Sequence, residues 1–397
     1  METLLAKSAA LARKTPLAHS RYLLDEIRWD NRLVGIKGAR GTGKTTLLLQ
    51  RMRALGLPAT QAAYFSLDDL YFTQNPLSTT VEQFYREGGK VAFLDEVHKY
   101  PGWAREVKNL HDFYPDLQIA FTGSSIIDLA KEEGDLSRRA LMYELHGLSF
   151  REFLDLSGIL TFAPFSLDDL LARGREITDL FPVDFRPLEH FRKYLSFGYY
   201  PFFLEDEEGF HQRLEQLVRV VIEYDMASLK GFDPRNARKL LLLLFILSSN
   251  VPFKPNLTQL AEKAGIHRNT VLNYLIYLEN ARLIRLLYPP GAGLSLLQKP
   301  EKIYLQNTCL AFALAPASPN VGNLRETFFQ NQLQCRHEVN VPDKGDFIID
   351  NRYTFEIGGK QKGYKQIAGI PNSFAVRDDM EYPVGKTIPL WLFGCLY

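Results

Sequence analysis

Gly38-Ala39-Arg40-Gly41-Thr42-Gly43-Lys44-Thr45 is a complete G-x-x-x-x-G-K-T phosphate loop. A short apolar run, Leu33-Val34-Gly35-Ile36, precedes it, and Thr46-Leu47-Leu48-Leu49 follows it. Strand, glycine turn and helix form the context in which this motif binds phosphate. Glycine lets the backbone curl until successive N–H groups point inward at phosphate oxygens. The helix N-terminus adds partial positive charge at the same place. Gly38, Ala39, Arg40, Gly41, Thr42, Gly43, Lys44, Thr45 and Thr46 are therefore the candidate nucleotide contacts. Lys44 is placed to reach the β- and γ-phosphates, and the Thr45 hydroxyl to sit on Mg²⁺.

A second motif follows within one domain's length. Val91-Ala92-Phe93-Leu94-Asp95-Glu96 is an apolar run ending in two acids. Such a run reads as a buried parallel strand. Its end presents Asp95 as a holder of Mg²⁺ and Glu96 as the base that polarises an attacking water. Between and after these motifs, 62–66 and 117–121 read as further strands. Helices are expected over 21–30, 78–87 and 103–114. Alternating strands and helices argue for an α/β fold with a parallel sheet covered on both faces. The 117–121 strand leads into Thr122-Gly123-Ser124-Ser125. Thr122 or Ser124 there either touches the γ-phosphate or the attacking water, or belongs to a helix cap. Arg138-Arg139 is an arginine pair that either stabilises transition-state charge, in cis or from a neighbouring subunit, or forms a solvated or salt-bridged face.

The chain has 397 residues, enough for two or three domains with real cores. Its net charge of +1 gives no bulk field to drive it onto nucleic acid, although a local basic face is compatible with it. Cys309, Cys335 and Cys395 form neither a disulfide framework nor a zinc pattern, as expected of reduced thiols in a cytoplasmic protein. Residues 1–20 carry no signal-peptide core. The apolar run Leu240–Leu247 is far short of the roughly 20 residues that span a bilayer, so it reads as a buried helix and no membrane partner is expected.

Ser149-Phe150-Arg151-Glu152-Phe153-Leu154 opens an amphipathic helix, a short helix is expected near 166–173, and 186–250 is largely helical, with a turn at Gly198-Tyr199-Tyr200-Pro201. Asn256 to Arg285 then reads as short helix, glycine turn at Gly265, longer helix and strand. That is a winged helix-turn-helix pattern. In a DNA reader Arg268, Asn269 and Asn273 would face the groove; in a protein-packing module they would not. Further on, Glu326 lies on an expected helix, 324–333. Asp346 and Glu356 lie on two strands, 346–350 and 353–357, of a hairpin, and Lys360 follows. This is the outline of a metal-dependent nuclease in which Asp346 and Glu356 share Mg²⁺, and equally of a hairpin with solvated charges.

Together these stretches resemble a family of bacterial and archaeal AAA-type ATPases that carry a C-terminal nuclease-like domain of unknown function. The matching pieces are Gly38 to Thr46, Leu67-Asp68-Asp69, Leu94-Asp95-Glu96-Val97 with Trp103, Phe121 to Ser125, Arg139, Leu148-Ser149-Phe150 with Glu152-Phe153-Leu154, Gly198 to Pro201, Tyr224-Asp225, the helix-turn-helix, and Glu326 with Asp346 and Glu356. The resemblance implies an ATPase core of strand order 5-1-4-3-2, a winged-helix middle domain and a restriction-endonuclease-like C-terminal fold. The expected division is 1–155, 156–290 and 291–397. There are departures: Arg138-Arg139 stands where the family has Gly-Arg, Gly198-Tyr199 where it has Gly-Gly, and Glu356-Ile357-Gly358 where it has Glu-x-Lys. The displacement to Lys360 carries the lysine past the strand end.

The leading expectation is a cytoplasmic, Mg²⁺-dependent ATPase whose turnover moves its other domains, with DNA as a candidate partner. A slow nucleotide switch that binds a protein partner or self-associates is the second reading. An ATP-gated DNA nuclease using Glu326, Asp346, Glu356 and Lys360 is the third. No guanine-reading N-K-x-D motif follows the 117–121 strand, and that absence together with the resemblance favours ATP over GTP.

Overall fold

The computed structural model describes the chain apart from residues 125–135, 137, 227–231, 250–254, 292–298, 315–318 and 360–363. Internal contacts divide it into two units, Met1–His146 and Gly147–Tyr397.

The first unit is built on five parallel strands: β1 (Leu33–Gly38), β2 (Ala62–Ser66), β3 (Val91–Asp95), β4 (Gln118–Ser124) and β5 (Leu141–Glu144). Their spatial order is β2-β3-β4-β1-β5, which read from the other edge is the expected 5-1-4-3-2. The sheet has two apolar faces because its strands alternate between two cores. Ala63, Phe65, Ala92, Leu94, Ile119 and Phe121 share one core with Phe84, Trp103, Val107 and Leu110. These last four belong to helices α4 (Leu77–Arg86) and α5 (Trp103–Phe113). Ala62, Tyr64, Val91, Phe93, Ala120, Val34 and Ile36 point the other way, onto Leu47, Leu48 and Met52 of α3 (Lys44–Ala54). The period-2 alternation of a strand thus explains why nearly every strand residue is apolar.

Two local expectations are corrected. Over 21–30 only α2 (Leu23–Glu26) is helical. Ile27 turns extended, and the Trp29 indole folds back to donate to the Leu24 carbonyl at 2.8 Å. Residues Glu2–Lys14 form α1, which the sequence pattern did not reveal. Its buried stripe is Leu4, Ser8 and Ala12, too small and polar to stand out. Strand β4 also runs past residue 121. Thr122, Gly123 and Ser124 pair with Ile36, Lys37 and Gly38 of β1, so they belong to the strand.

The second unit begins with α6 (Phe150–Leu156), a helix closed by a capping box between Ser149 and Glu152. Its Phe150 packs on Phe191, Tyr194 and Trp391, and the Ser149 hydroxyl donates to the Tyr397 carbonyl at 2.6 Å. These contacts place α6 in the unit that begins at Gly147. Helices α7 (Leu167–Asp179), α8 (Pro187–Phe197), α9 (Phe210–Val220) and α10 (Ala237–Ser248) follow. The apolar run of α10 is buried, as expected. Among the described residues no helix is long and apolar enough to cross a membrane.

Then come α11 (Leu257–Ala264), a left-handed Gly265, α12 (Arg268–Asn280) and an antiparallel pair, β6 (Ile284–Leu287) with β7 (Lys302–Leu305). This pair crosses residue 290, so the contacts draw no division there. Helices α13 (Thr308–Leu314) and α14 (Val321–Leu333) lead to a mixed sheet of β8 (Val339–Asn340), β9 (Phe347–Ile349), β10 (Tyr353–Gly358), β11 (Ser373–Arg377) and β12 (Thr387–Pro389), in order β12-β11-β10-β9-β8. The first two pairings, β8 with β9 and β9 with β10, are antiparallel, and the rest are parallel.

Phe121 is fully buried and its ring lies 5.2 Å from that of Trp103. Phe121→Ala is expected to destabilise the first unit by about 3–5 kcal/mol in urea unfolding. A loss below about 1 kcal/mol would contradict the placement of this ring at the centre of that core.

Candidate active site

The phosphate loop runs from the end of β1 into α3. Gly43 is the N-cap of α3 at φ +94°, a conformation that a Cβ penalises. Gly38 has a different constraint: a Cβ there would lie 2.4 Å from the backbone oxygen of Leu145. The Thr42 hydroxyl, fully buried, donates to the Ala39 carbonyl at 2.8 Å and closes the loop from inside. Buried Arg21 ties the loop to its surroundings, donating to the Thr42 carbonyl and, at 2.7 Å, to the His146 carbonyl. Lys44 donates to the Gly38 and Ala39 carbonyls at 3.0 and 2.9 Å. Its ammonium is therefore held over the loop itself.

Opposite the loop, β3 delivers Asp95, which is only 2% exposed. Three hydroxyls donate to its carboxylate: Thr45 of α3 at 2.7 Å, Tyr64 of β2 at 2.6 Å, and Thr122 of β4. Burial, and after it the charge of Asp95, pushes the Tyr64 phenol far above its ordinary range, so it stays a donor. The Thr122 hydroxyl in turn accepts from the Glu96 amide at 3.2 Å. Glu96 has φ +54°, a left-handed backbone uncommon for a residue with a side chain. Its carboxylate lies 3.3 Å from His98 Nε2. The Ser124 amide donates to His98 Nδ1 at 3.4 Å. The two contacts hold the His98 ring between the end of β4 and the Glu96 carboxylate.

The structure thus gathers Lys44, Thr45, Asp95, Glu96, Thr122 and Ser124 at the carboxyl ends of β1, β3 and β4. Thr45 and Asp95 are hard oxygen donors, the type Mg²⁺ takes. The chemistry this arrangement can support is in-line attack by a water on a bound phosphate chain, with a carboxylate beside it. Tyr64, Arg21 and His98 were not found from sequence. Tyr64 and Arg21 carry no spacing signal, whereas His98, two residues after Glu96, had one in its adjacency.

Arg139 is placed elsewhere. Its guanidinium forms a two-pronged pair with Asp112 near the end of α5, at 2.8 and 2.9 Å. That pair holds the Asp112 carboxyl down at about 2, so the bridge persists through the ordinary acid range and is lost as the pH falls through about 2. In this arrangement Arg139 is a salt-bridged, partly exposed residue.

In the second unit, Arg268, Asn269 and Asn273 are exposed on α12, while Val271, Tyr274, Leu275 and Leu278 are buried. Of the nuclease-like residues, Glu326 and Asp346 approach the same ammonium, that of Lys302, at 3.4 and 3.7 Å. Glu356 is fully buried on β10. Lys360 lies outside the described residues. No group of three or more His, Cys, Asp and Glu among the described residues is placed to hold a metal ion.

Comparison with known proteins fits this geometry. Residues 30–154 match the model of an AAA domain, and residues 188–321 that of a domain of unknown function, DUF8612. The first unit therefore carries an AAA-type P-loop fold, which implies nucleotide binding and hydrolysis. Over 401 residues the chain is 28% identical to the uncharacterized protein MJ1637 of Methanocaldococcus jannaschii, covering 89% of this chain and 84% of that one. Among solved structures, the Walker-type ATPase PABY2304 of Pyrococcus abyssi shares 15% identity, covers 77% of this chain and 99% of its own, and superposes with a TM-score of 0.43. DnaA from Aquifex aeolicus with bound AMPPCP shares 17% identity over 68% of this chain and 86% of its own, with a TM-score of 0.28.

Because the Gly38 clash is with backbone, it is not relieved by a side-chain rotation. Gly38→Ala is expected to weaken binding of a fluorescent ATP analogue by about tenfold or more, equivalent to about 1.4 kcal/mol. Unchanged affinity in a folded variant would show that the loop tolerates the displacement.

Proposed function

We propose that the chain is a Mg²⁺-dependent ATPase whose turnover is coupled to its second unit, with double-stranded DNA as the partner read by α12. The observation that supports this best is the Asp95 carboxylate joined by hydroxyls from α3, β2 and β4, with Glu96 hung from one of them. Backbone N–H groups of the loop receive the phosphates, and Lys44 exchanges its carbonyl partners for the γ-phosphate. Thr45 and Asp95 are the residues that would hold Mg²⁺, which when bound neutralises phosphate charge. Glu96 takes the proton of the attacking water. Thr122 fixes the Glu96 backbone, and the His98 ring beside it steadies its carboxylate. His98 is a positioning residue, since it acts through Glu96.

The DNA part rests on α11, Gly265, α12 and the β6–β7 pair, which together have the layout of a winged helix with Arg268, Asn269 and Asn273 outward. Within the second unit we take residues up to 290 as the helical and winged-helix part and the remainder as the nuclease-like part.

Glu96→Gln is expected to lower steady-state ATP turnover about 10²–10⁴-fold while leaving ATP binding intact. Turnover equal to wild type would sink the assignment of the base. His98→Ala should lower kcat with KM unchanged, and His98→Gln, which supplies an N–H donor, should recover part of it. A KM change alone would reduce His98 to a structural role.

Duplex DNA is expected to stimulate turnover, and Arg268→Ala to weaken that stimulation. Slow turnover indifferent to DNA would replace the DNA reading with that of a switch for a protein partner.

A further inference from the structure

The restriction-endonuclease-like resemblance implies a divalent cation among Glu326, Asp346 and Glu356. The side chains around these acids do not fit one. Lys302 and Tyr304 alternate on β7, so both project from one side of that strand. The Lys302 ammonium lies 3.4 Å from Glu326 Oε2 and 3.7 Å from Asp346 Oδ1, and 3.4 Å from the Asp346 carbonyl. The Tyr304 hydroxyl donates to the same Glu326 oxygen at 2.6 Å. The second Asp346 oxygen is also engaged, accepting from the Ile357 amide of β10 at 2.8 Å. Lys302 is further seated 5.3 Å from the centre of the Phe347 ring. Its side chain is 11% exposed, and those of Glu326 and Asp346 are 16% and 15% exposed, so the cluster is largely closed to solvent.

A second cation stands beside the third acid. Arg377, buried at the end of β11, donates to the Glu356 carbonyl at 3.4 Å. The charges of Glu356, Asp346 and Asp378 oppose the lowering that burial imposes on this guanidinium. Arg325 on α14 pairs with Asp378. Three cationic side chains, Lys302, Arg377 and Arg325, therefore lie in this part of the sheet and its helix, and the first of them engages the carboxylates of Glu326 and Asp346.

We infer that Lys302 is the resident cation of this cluster, its ammonium engaging two of the three acids that would have to hold a divalent ion, and that the cluster is a structural ion network without metal-dependent cleavage. Burying an ammonium is tolerated when paired carboxylates and hydrogen bonds surround it, which is what Glu326, Asp346 and Tyr304 provide. Admitting a divalent ion beside it would put like charges together in a poorly solvated site.

The test compares full-length wild type with Lys302→Ala and Glu326→Gln, without nucleotide, in thermal melts with and without millimolar Mn²⁺, and counts bound Mn²⁺ by electron paramagnetic resonance. Wild type and Glu326→Gln are expected to bind the same number of ions. Lys302→Ala, with two carboxylates left facing each other, is expected to melt lower and to be raised by Mn²⁺ about 2–4 °C more than wild type. A wild-type ion that is lost in Glu326→Gln overturns the inference, and so does a folded Lys302→Ala that Mn²⁺ raises no more than wild type. If Lys302→Ala does not fold, the comparison of wild type with Glu326→Gln decides alone.

Discussion

One buried carboxylate holds the first unit's chemistry together. Asp95 is nearly inaccessible, and hydroxyls from a helix and two strands converge on it. A buried acid needs such donors, because taking it from water without compensation costs several kcal/mol. Each donor is consequently locked to one place. Thr45 is fixed at the first turn of α3, Tyr64 on β2 and Thr122 on β4. Glu96 inherits that order through the Thr122 hydroxyl and is forced into a left-handed backbone. Strain at such a residue is worth about 1–3 kcal/mol and persists only where the surroundings over-determine it. His98, anchored on the Ser124 amide, adds the last constraint.

The two acid clusters of the chain solve the same problem in different ways. Around Asp95 the partners are neutral hydroxyls, which bring no positive charge of their own. Around Glu326 and Asp346 the partner is an ammonium, which cancels charge on the spot. Neutral donors suit a site that must fill and empty. An internal cation suits a core that only has to stay folded.

The parallel strands and the nucleotide loop were legible because both depend on short-range rules, whereas the strand order came only from the family resemblance. Apolar runs ending in acids read as buried parallel strands, and a glycine-rich turn between strand and helix reads as a phosphate cradle. Thr122 and Ser124 were recognised as candidates, but their strand character became evident only through pairing with β1. Helix α1 escaped because its buried stripe of Leu4, Ser8 and Ala12 has little apolar contrast. Lys302 escaped for a different reason. It is 24 residues from Glu326 and 44 from Asp346, and nothing local marks it as their partner. The same holds for Arg139 and Asp112, where a residue pair that suggested phosphate chemistry is used, in this arrangement, as a surface bridge. The contacts begin the second unit at Gly147, whereas the AAA-domain match runs to residue 154. The capping box of α6 is clear from Ser149 and Glu152, but only packing of Phe150 on Trp391 assigns the helix to the second unit.

The most direct measurement is calorimetric titration of ATP into wild type and Asp95→Asn, each with and without Mg²⁺. The account predicts that Mg²⁺ tightens binding to wild type, and that Asp95→Asn keeps the metal-free affinity but loses the gain from Mg²⁺. An equal gain in both proteins would contradict it, because the carboxylate on which the site converges would then have no part in holding the metal.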